Sequence, residues 1–407
     1  MKLEIVNFGC RLNTYESEVI KELFRERNIV LDEGRDLVLF NSCVVTEQAE
    51  KQLSQSIRKV RRERGDNIII GVIGCAIQIN SKKYLNMPEV DFVVGNNNKL
   101  EISSYLNFSK NREIVSDVFA QNTVSNSIIT GFENRSRAFI QIQNGCDNKC
   151  TFCLTRLARG PSVSNLPAKI IEQVKKLVDN GYNEIVLTGV DISDYGKGLD
   201  EKMNLGLLVK KILKETVISR LRISSVDIDK LNVDLVEVYQ YEKRLIPHIH
   251  LSLQSGDDMI LTRMLRRHRQ IDIFNKSFEL REKRKELIFG ADFIAGFPTE
   301  TEEMHKNSIK VIQQTPITFG HIFPYSRRQG TKAALMPQID KSTKKRRAKE
   351  LRIECEKNLN VLKESVKNTK QMVLVESEYK GRLDNYLLVD LKQNYKDYIG
   401  KIIEVEL

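Results

Sequence analysis

Six of the seven cysteines fall into two groups of three, Cys10, Cys43 and Cys75, then Cys146, Cys150 and Cys153, while Cys355 stands alone. The start MKLEIVNFGC lacks the features of a secretory leader, and no apolar run is long enough for a bilayer. The expected setting is therefore cytoplasmic, where thiols stay reduced and disulfides are not their reason for being there. Metal ligation is. Gly145-Cys146-Asp147-Asn148-Lys149-Cys150-Thr151-Phe152-Cys153 is a Cys-x3-Cys-x2-Cys loop, a spacing that lets three thiolates reach three corners of a cubane iron-sulfur cluster. A structural zinc wants a fourth Cys or His close by. None is near: His248 and His250 lie roughly a hundred residues on, and on a strand their side chains are expected to face opposite sides. Three ligands leave one iron open, which is useful where something else must bind.

The amino-terminal cysteines need a fold to bring them together. Short apolar runs at Lys2 to Phe8, Asp36 to Asn41, Asn67 to Ile73 and Val90 to Val94 alternate with amphipathic stretches, the pattern of a doubly wound parallel sheet covered by helices. Cys10, Cys43 and Cys75 each follow one of the first three strands, 33 and 32 residues apart, about one strand-helix unit each. In such sheets ligands gather beyond the carboxyl ends of the strands. A free Cys usually behaves as a small buried hydrophobe, but three at equivalent places point to a shared site. Cys355, on a helical stretch, reads as plain packing.

Val94 to Gly131 is rich in Asn and Ser and reads as a connection. From Arg137 strand-like runs recur at Ala138 to Gln143, Glu184 to Thr188, Arg220 to Ser225, His248 to Leu253, Ile288 to Ile294 and Ile317 to Phe323. Helical stretches separate them: Pro167 to Asn180, Leu205 to Glu215, Asp234 to Tyr241, one long Asp257 to Glu286 region, and Glu300 to Gln314. Six strand-helix repeats fall short of the eight of a closed TIM barrel, so the expectation is an open (β/α)6 partial barrel. Candidate ligand contacts at its strand ends are Gly189, Ser225, Asp227 and Gln254; as alternatives, Gly189 serves a tight turn and Asp227 or Gln254 caps a helix.

With 65 Lys and Arg against 54 Asp and Glu, the chain is basic, and the excess is uneven. Lys341 to Lys370 holds eleven Lys or Arg against four Glu and reads as a basic helix. Short strands are expected after it at Gln371 to Glu376, Tyr386 to Asp390 and Lys401 to Val405. Such a run is commonly a solvated face, yet beside a small β segment it is also a candidate contact for a polyanion. Arg263 to Arg269 is a second candidate.

The cysteine loop, set after the first strand of a six-fold strand-helix domain, resembles the radical-SAM superfamily. The resemblance implies a 4Fe-4S cluster on Cys146, Cys150 and Cys153 whose open iron chelates S-adenosylmethionine and cleaves it to a 5'-deoxyadenosyl radical, with Phe152 near the adenine. FGCRLNTYESE, FNSCVVTEQAE and VIGCA resemble the amino-terminal domain of methylthiotransferases, which implies a second 4Fe-4S cluster on Cys10, Cys43 and Cys75. EIVLTGVDI, RLRISSVD, HIHLSLQSGDDMILTRM, ADFIAGFPTET and HIFPYSRRQGT follow in the family's order, so the likeness covers at least residues 1 to 335.

Three units are implied: residues 1–110 with the auxiliary cluster, residues 132–335 as the radical-SAM domain, and residues 341–407 as a basic helix and a short, incompletely closed TRAM-like RNA-binding segment. Arg159-Gly160 matches a basic family motif; relatives commonly carry a second Arg where Val163 stands and Pro-Tyr at Arg156-Leu157. The implied reaction is methylthiolation of C2 of N6-threonylcarbamoyladenosine beside the anticodon of tRNA. It would consume two S-adenosylmethionine molecules, one for the methyl and one for the radical, together with a sulfur donor and an electron donor of unknown identity. Isopentenyladenosine in tRNA and an aspartate of a ribosomal protein are the family's other substrates. A non-catalytic iron-sulfur RNA-binding or redox-sensing protein is a different class, which does not explain why both triplets stop at three ligands.

Overall fold

Unbroken aliphatic runs form strands buried on both faces, as parallel sheets require. The computed structural model describes residues 2–26, 35–106, 110–120, 124, 127–133 and 135–407. Its amino-terminal part runs β1 (Leu3–Asn7), α1 (Arg11–Glu26), β2 (Asp36–Ser42), α2 (Glu47–Arg64), β3 (Ile68–Gly74), α3 (Cys75–Leu85), β4 (Phe92–Val94) and β5 (Arg112–Ile114). The five strands pair in parallel in chain order. Val38, Phe40, Ile70 and Val72 pack beneath α2 and α3, while Leu37, Leu39, Ile69 and Ile73 pack against α1. Each such side chain contributes about 1.5–3 kcal/mol by leaving water. Helix α2 shows how the local sequence fixes an element: the Thr46 side chain accepts from the Ala49 N–H, Glu47 and Glu50 lie in the first turn, and Arg61, Arg62 and Arg64 in the last. The stretch read as a connection contributes β5, although residues 107–109, 121–123 and 125–126 of it lie outside the described residues.

The middle of the chain carries β6 (Ala138–Gln141), the short antiparallel pair β7 (Gln143–Asn144) and β8 (Val163–Ser164), and the one-turn α4 (Thr155–Arg159) between them. Then come α5 (Pro167–Asp179), β9 (Glu184–Thr188), α6 (Leu205–Glu215), β10 (Arg220–Ile223), α7 (Val233–Tyr241), β11 (His248–Gln254), α8 (Asp258–Arg263), α9 (Gln270–Lys283), β12 (Ile288–Ala295), α10 (Glu302–Gln314) and β13 (Ile317–Pro324). Parallel sheets β6-β9-β10 and β11-β12-β13 meet through single bridges Leu221–Leu245 and Val226–Leu251, giving the open six-stranded half-barrel. The expected single helix from Asp257 to Glu286 is two helices. Leu265 takes φ 60° after α8, and Asp272 caps the Arg269 N–H to start α9.

Helix α11 (Lys341–Val366) packs along β13, where the Cys355 sulfur fills the space a Cβ on Gly320 would need, so Cys355 is packing. β14 (Lys370–Ser377), β15 (Lys380–Leu383), β16 (Leu388–Asp390) and β17 (Ile402–Glu406) form an antiparallel sheet in the order β16-β15-β14-β17. The hairpin strand β15 was not anticipated; it is only four residues long and carries a glycine. The loop after it delivers Tyr386 (φ 79°) into the half-barrel, stacked on His248 with centroids 4.6 Å apart and accepting a hydrogen bond from Arg11 Nη2 at 3.0 Å. His248 and His250 share the inner face, their ring centroids 6.3 Å apart. The expectation of opposite faces is corrected: strand residues two apart point the same way.

Candidate active site

Three of the six grouped cysteines follow a glycine held at positive φ: Gly9 (110°) before Cys10, Gly74 (96°) before Cys75 and Gly145 (70°) before Cys146. Each glycine turns the chain at a strand end, a conformation that L side chains resist. At Gly9 the need is also steric, since a Cβ there would stand 2.8 Å from the Cys43 Cβ. Cys10, Cys43 and Cys75 come together on the rim of the amino-terminal sheet. The Val45 N–H points at the Cys43 sulfur at 3.5 Å and Asn96 Nδ2 at the Cys75 sulfur at 3.4 Å. Burial, reinforced by the neighbouring thiols of Cys75 and Cys10, pushes the Cys43 thiol up to about 12.

The second triplet sits in the loop after β7. Cys146 Sγ lies 3.9 Å from Asp191 Oδ2, Arg266 Nη1 is 3.8 Å from Cys150 Sγ, and the Thr155 N–H donates to Cys153 Sγ at 3.3 Å. Burial and the Asp191 carboxylate raise the Cys146 thiol to about 12, and burial raises Cys150 despite the Arg266 guanidinium. Thiols so raised become thiolates only when a cation arrives to offset the charge. In neither triplet do all three sulfurs lie within 4.8 Å of one another. Tetrahedral zinc, with Zn–S about 2.3 Å, would draw thiolates to about 3.8 Å. The donor set, three thiols at each site, fits a cubane cluster with one iron left open.

The strand-end residues divide. Asp227 accepts from Arg266 Nη2 at 2.5 Å and faces Asn148 Nδ2 at 3.4 Å, beside the second triplet. Gly189 lies where a Cβ would meet the Gln143 carbonyl at 2.7 Å, so it permits close packing, with Gln143 Oε1 accepting from the Val190 and Asp191 N–H groups. Gln254 ends β11 at φ 71°, and Ser225 is half-buried after β10. Phe152 meets Phe297 edge-on at 6.4 Å.

Sequence reasoning missed Asn148, Asp191, Lys230 and Arg266, which build the polar network around Cys146 and Cys150. Burial and Asp227 raise the Asp191 carboxyl, while Lys230, 2.8 Å away, works against them. The signal in sequence was the acidic residue three positions past β9, Asp191 in LTGVD. Within the candidate polyanion cluster Arg263 to Arg269, the Arg266 guanidinium turns inward, where Asp227 and the Ser252 carbonyl hold it.

A buried ion network joins α1 of the amino-terminal sheet to α4 and β7 of the half-barrel. Arg159, at the end of α4, donates to Glu16 and Asn13 of α1 and to Asn144 of β7, while Lys99 donates to Glu16 at 2.6 Å. The Arg159 charge stands beside Cys75 and Cys10.

Residues 2–95 match the family described as uncharacterized protein family UPF0004, and residues 140–312 match the radical SAM superfamily. The chain is 42% identical over 408 residues to threonylcarbamoyladenosine tRNA methylthiotransferase MtaB of Rickettsia prowazekii, covering all of this chain and 95% of that one. It is 32% identical to the MtaB of Aquifex aeolicus, with both chains fully covered. The tRNA-2-methylthio-N(6)-dimethylallyladenosine synthase of Finegoldia magna is 30% identical, covering 99% of this chain and 91% of that one. Among solved structures, the radical S-adenosylmethionine methyltransferase TsrM of Kitasatospora setae shares the fold at 11% identity, with a TM-score of 0.56, covering 82% of this chain and 75% of that one. Cys-x3-Cys-x2-Cys at the barrel mouth, a separate rim of three thiols and full-length relatives at these identities lead to one assignment: the chain belongs to the radical SAM methylthiotransferases.

Proposed function

We propose that this protein methylthiolates C2 of N6-threonylcarbamoyladenosine beside the anticodon of tRNA, in the cytoplasm, and that its six grouped cysteines hold two 4Fe-4S clusters. The observation that carries the reading is the pair of three-thiol sites, one on the rim of the amino-terminal sheet and one in the loop after β7. In the proposed division, residues 1–110, to which β5 adds its strand, bear the auxiliary cluster on Cys10, Cys43 and Cys75. Residues 132–335 bear the radical-generating one on Cys146, Cys150 and Cys153, and residues 341–407 meet RNA.

The cluster and S-adenosylmethionine, when bound, supply the radical chemistry that an unactivated aromatic C2 position demands. The chain's own residues orient and exclude water. Arg266 holds the Asp227 carboxylate beside Cys150, Asn148 and Lys230 fix Asp191 beside Cys146, and Phe152 with Phe297 presents an aromatic wall. Gly189, Ser225 and Gln254 are proposed to contact S-adenosylmethionine at the strand ends. The sulfur donor and the electron donor are separate partners in this scheme.

Relatives named for threonylcarbamoyladenosine reach 42% identity and those named for dimethylallyladenosine 30%, which favours the first substrate. Nucleoside mass spectrometry of tRNA from a deletion strain, with and without the gene restored, tests it. Loss of 2-methylthio-threonylcarbamoyladenosine is expected; loss of the isopentenyl product instead would move the chain to the sister group.

A further inference from the structure

Outside the two thiol sites, the inner wall of the half-barrel carries a polar group on three neighbouring strands. His250 Nε2 lies 3.0 Å and His321 Nδ1 3.4 Å from the same oxygen of Asp292, and the two imidazoles stand 4.6 Å apart. The register makes the arrangement deliberate. Asp292 pairs with His321 across β12 and β13, and His250 pairs with Gly290, where a Cβ would meet the ring nitrogen at 2.3 Å. Only glycine leaves room for that imidazole. Burial alone would raise the Asp292 carboxyl, but the two imidazoles hold it well below the usual carboxylate range.

The wall is graded by strand alternation. Toward the amino ends of the strands, His248 and Phe319 pack on Tyr386 and close the floor. Toward the carboxyl ends, Ile294 and Phe323 share the face and are apolar. The triad is a polar band between them, and His321, half-exposed on the edge strand β13, opens it to the unclosed side of the barrel.

The two family substrates differ in one chemical respect that such a band can read. An isopentenyl arm is hydrocarbon, whereas a threonylcarbamoyl arm carries N–H groups, a hydroxyl and a carboxylate. Covering imidazole and carboxylate groups with hydrocarbon strips them of water and returns no hydrogen bonds, and sites built for polar partners reject apolar analogues on that ground. We propose that His250, Asp292 and His321 receive the threonylcarbamoyl arm of the modified adenosine and set the choice against isopentenyladenosine. Asp292 accepts from the arm's N–H and hydroxyl groups, His250 holds Asp292 in place, and His321, whose Nδ1 faces Asp292, donates from its other ring nitrogen to the arm's carboxylate. The inference rests on the functional reading above.

The test is binding of cluster-loaded protein to anticodon stem-loops carrying threonylcarbamoyladenosine, isopentenyladenosine or plain adenosine. Wild type should prefer the first over the second by about tenfold or more. His321→Leu should bring the two within about twofold, with the plain-adenosine loop as the reference, and His321→Gln, which keeps an N–H donor, should restore most of the preference. An equal loss on all three loops would show a merely structural role and overturn the proposal. So would stoichiometric zinc that disappears in His321→Leu, because the triad would then be a metal site. Failure of the functional reading looks different: wild-type protein forming product on isopentenyl-tRNA and none on threonylcarbamoyl-tRNA.

Discussion

Arg159 of α4 grips Glu16 of α1 with both ends of its guanidinium, Nη1 to Oε1 at 2.8 Å and Nη2 to Oε2 at 3.0 Å, across 143 residues. Both side chains are 3% exposed. Burial would raise the Glu16 carboxyl, yet Arg159 and Lys99 bring it down to about 2. Removing the carboxylate strands two cations away from water. Glu16→Gln should therefore cost about 3–5 kcal/mol in denaturant unfolding.

The same pair sets an acid limit. Glu16 titrates near 2 in the folded chain and at 4.5 when unfolded, so the unfolded chain takes up the proton first as pH falls. The stabilisation is whole above pH 4.5 and is lost on descent toward pH 2, a change of roughly 3 kcal/mol. Urea midpoints of the metal-free protein measured across that window should fall more steeply for wild type than for Glu16→Gln. Parallel curves would show that the network does not govern acid stability.

Anaerobic reconstitution should load about eight irons per chain, as two cubane clusters require. Replacing Cys146, Cys150 and Cys153 with Ala should halve that count. Gly9→Ala should act on the other site alone, since its Cβ would strike Cys43; iron analysis with electron paramagnetic resonance reads both. A full iron complement in Gly9→Ala would show that the rim is not the cluster's seat.

RNA affinity should fall steeply with salt because phosphate contacts release counterions. The four adjacent basic residues from Lys344 to Arg347 look equivalent in sequence, but Arg347 is buried against Glu300, Arg346 is ion-paired with Glu302 and Glu350, and Lys344 lies over the Tyr325 ring. Lys341, Lys345 and Lys349 are exposed. Changing those three to Gln should lower the salt slope by about two to three. Arg347→Gln should lower stability instead, as thermal melting would show.

Cysteine spacing and strand periodicity made the parallel sheet, the half-barrel and both thiol groups legible. Glycine-cysteine pairs at positions 9–10, 74–75 and 145–146 carried more than was taken from them, for each marks a strand-end turn. What escaped reading depends on contacts distant in sequence. Nothing local distinguishes Arg266, which faces the thiols, from Arg267, which is exposed; the direction of each follows from Leu265 breaking the helix. The three-residue β5 exists because β4 offers it an edge.

Tyr386 meets Arg11, the residue after Cys10, from 375 positions further along the chain. At about 5–20 residues per second, a ribosome needs on the order of tens of seconds to travel between them. The contact beside Cys10 thus forms only after the carboxyl-terminal hairpin has been made and has docked. If the rim that carries Cys10 holds the proposed cluster, iron supplied during translation would meet thiols whose neighbour Arg11 has not yet found its partner.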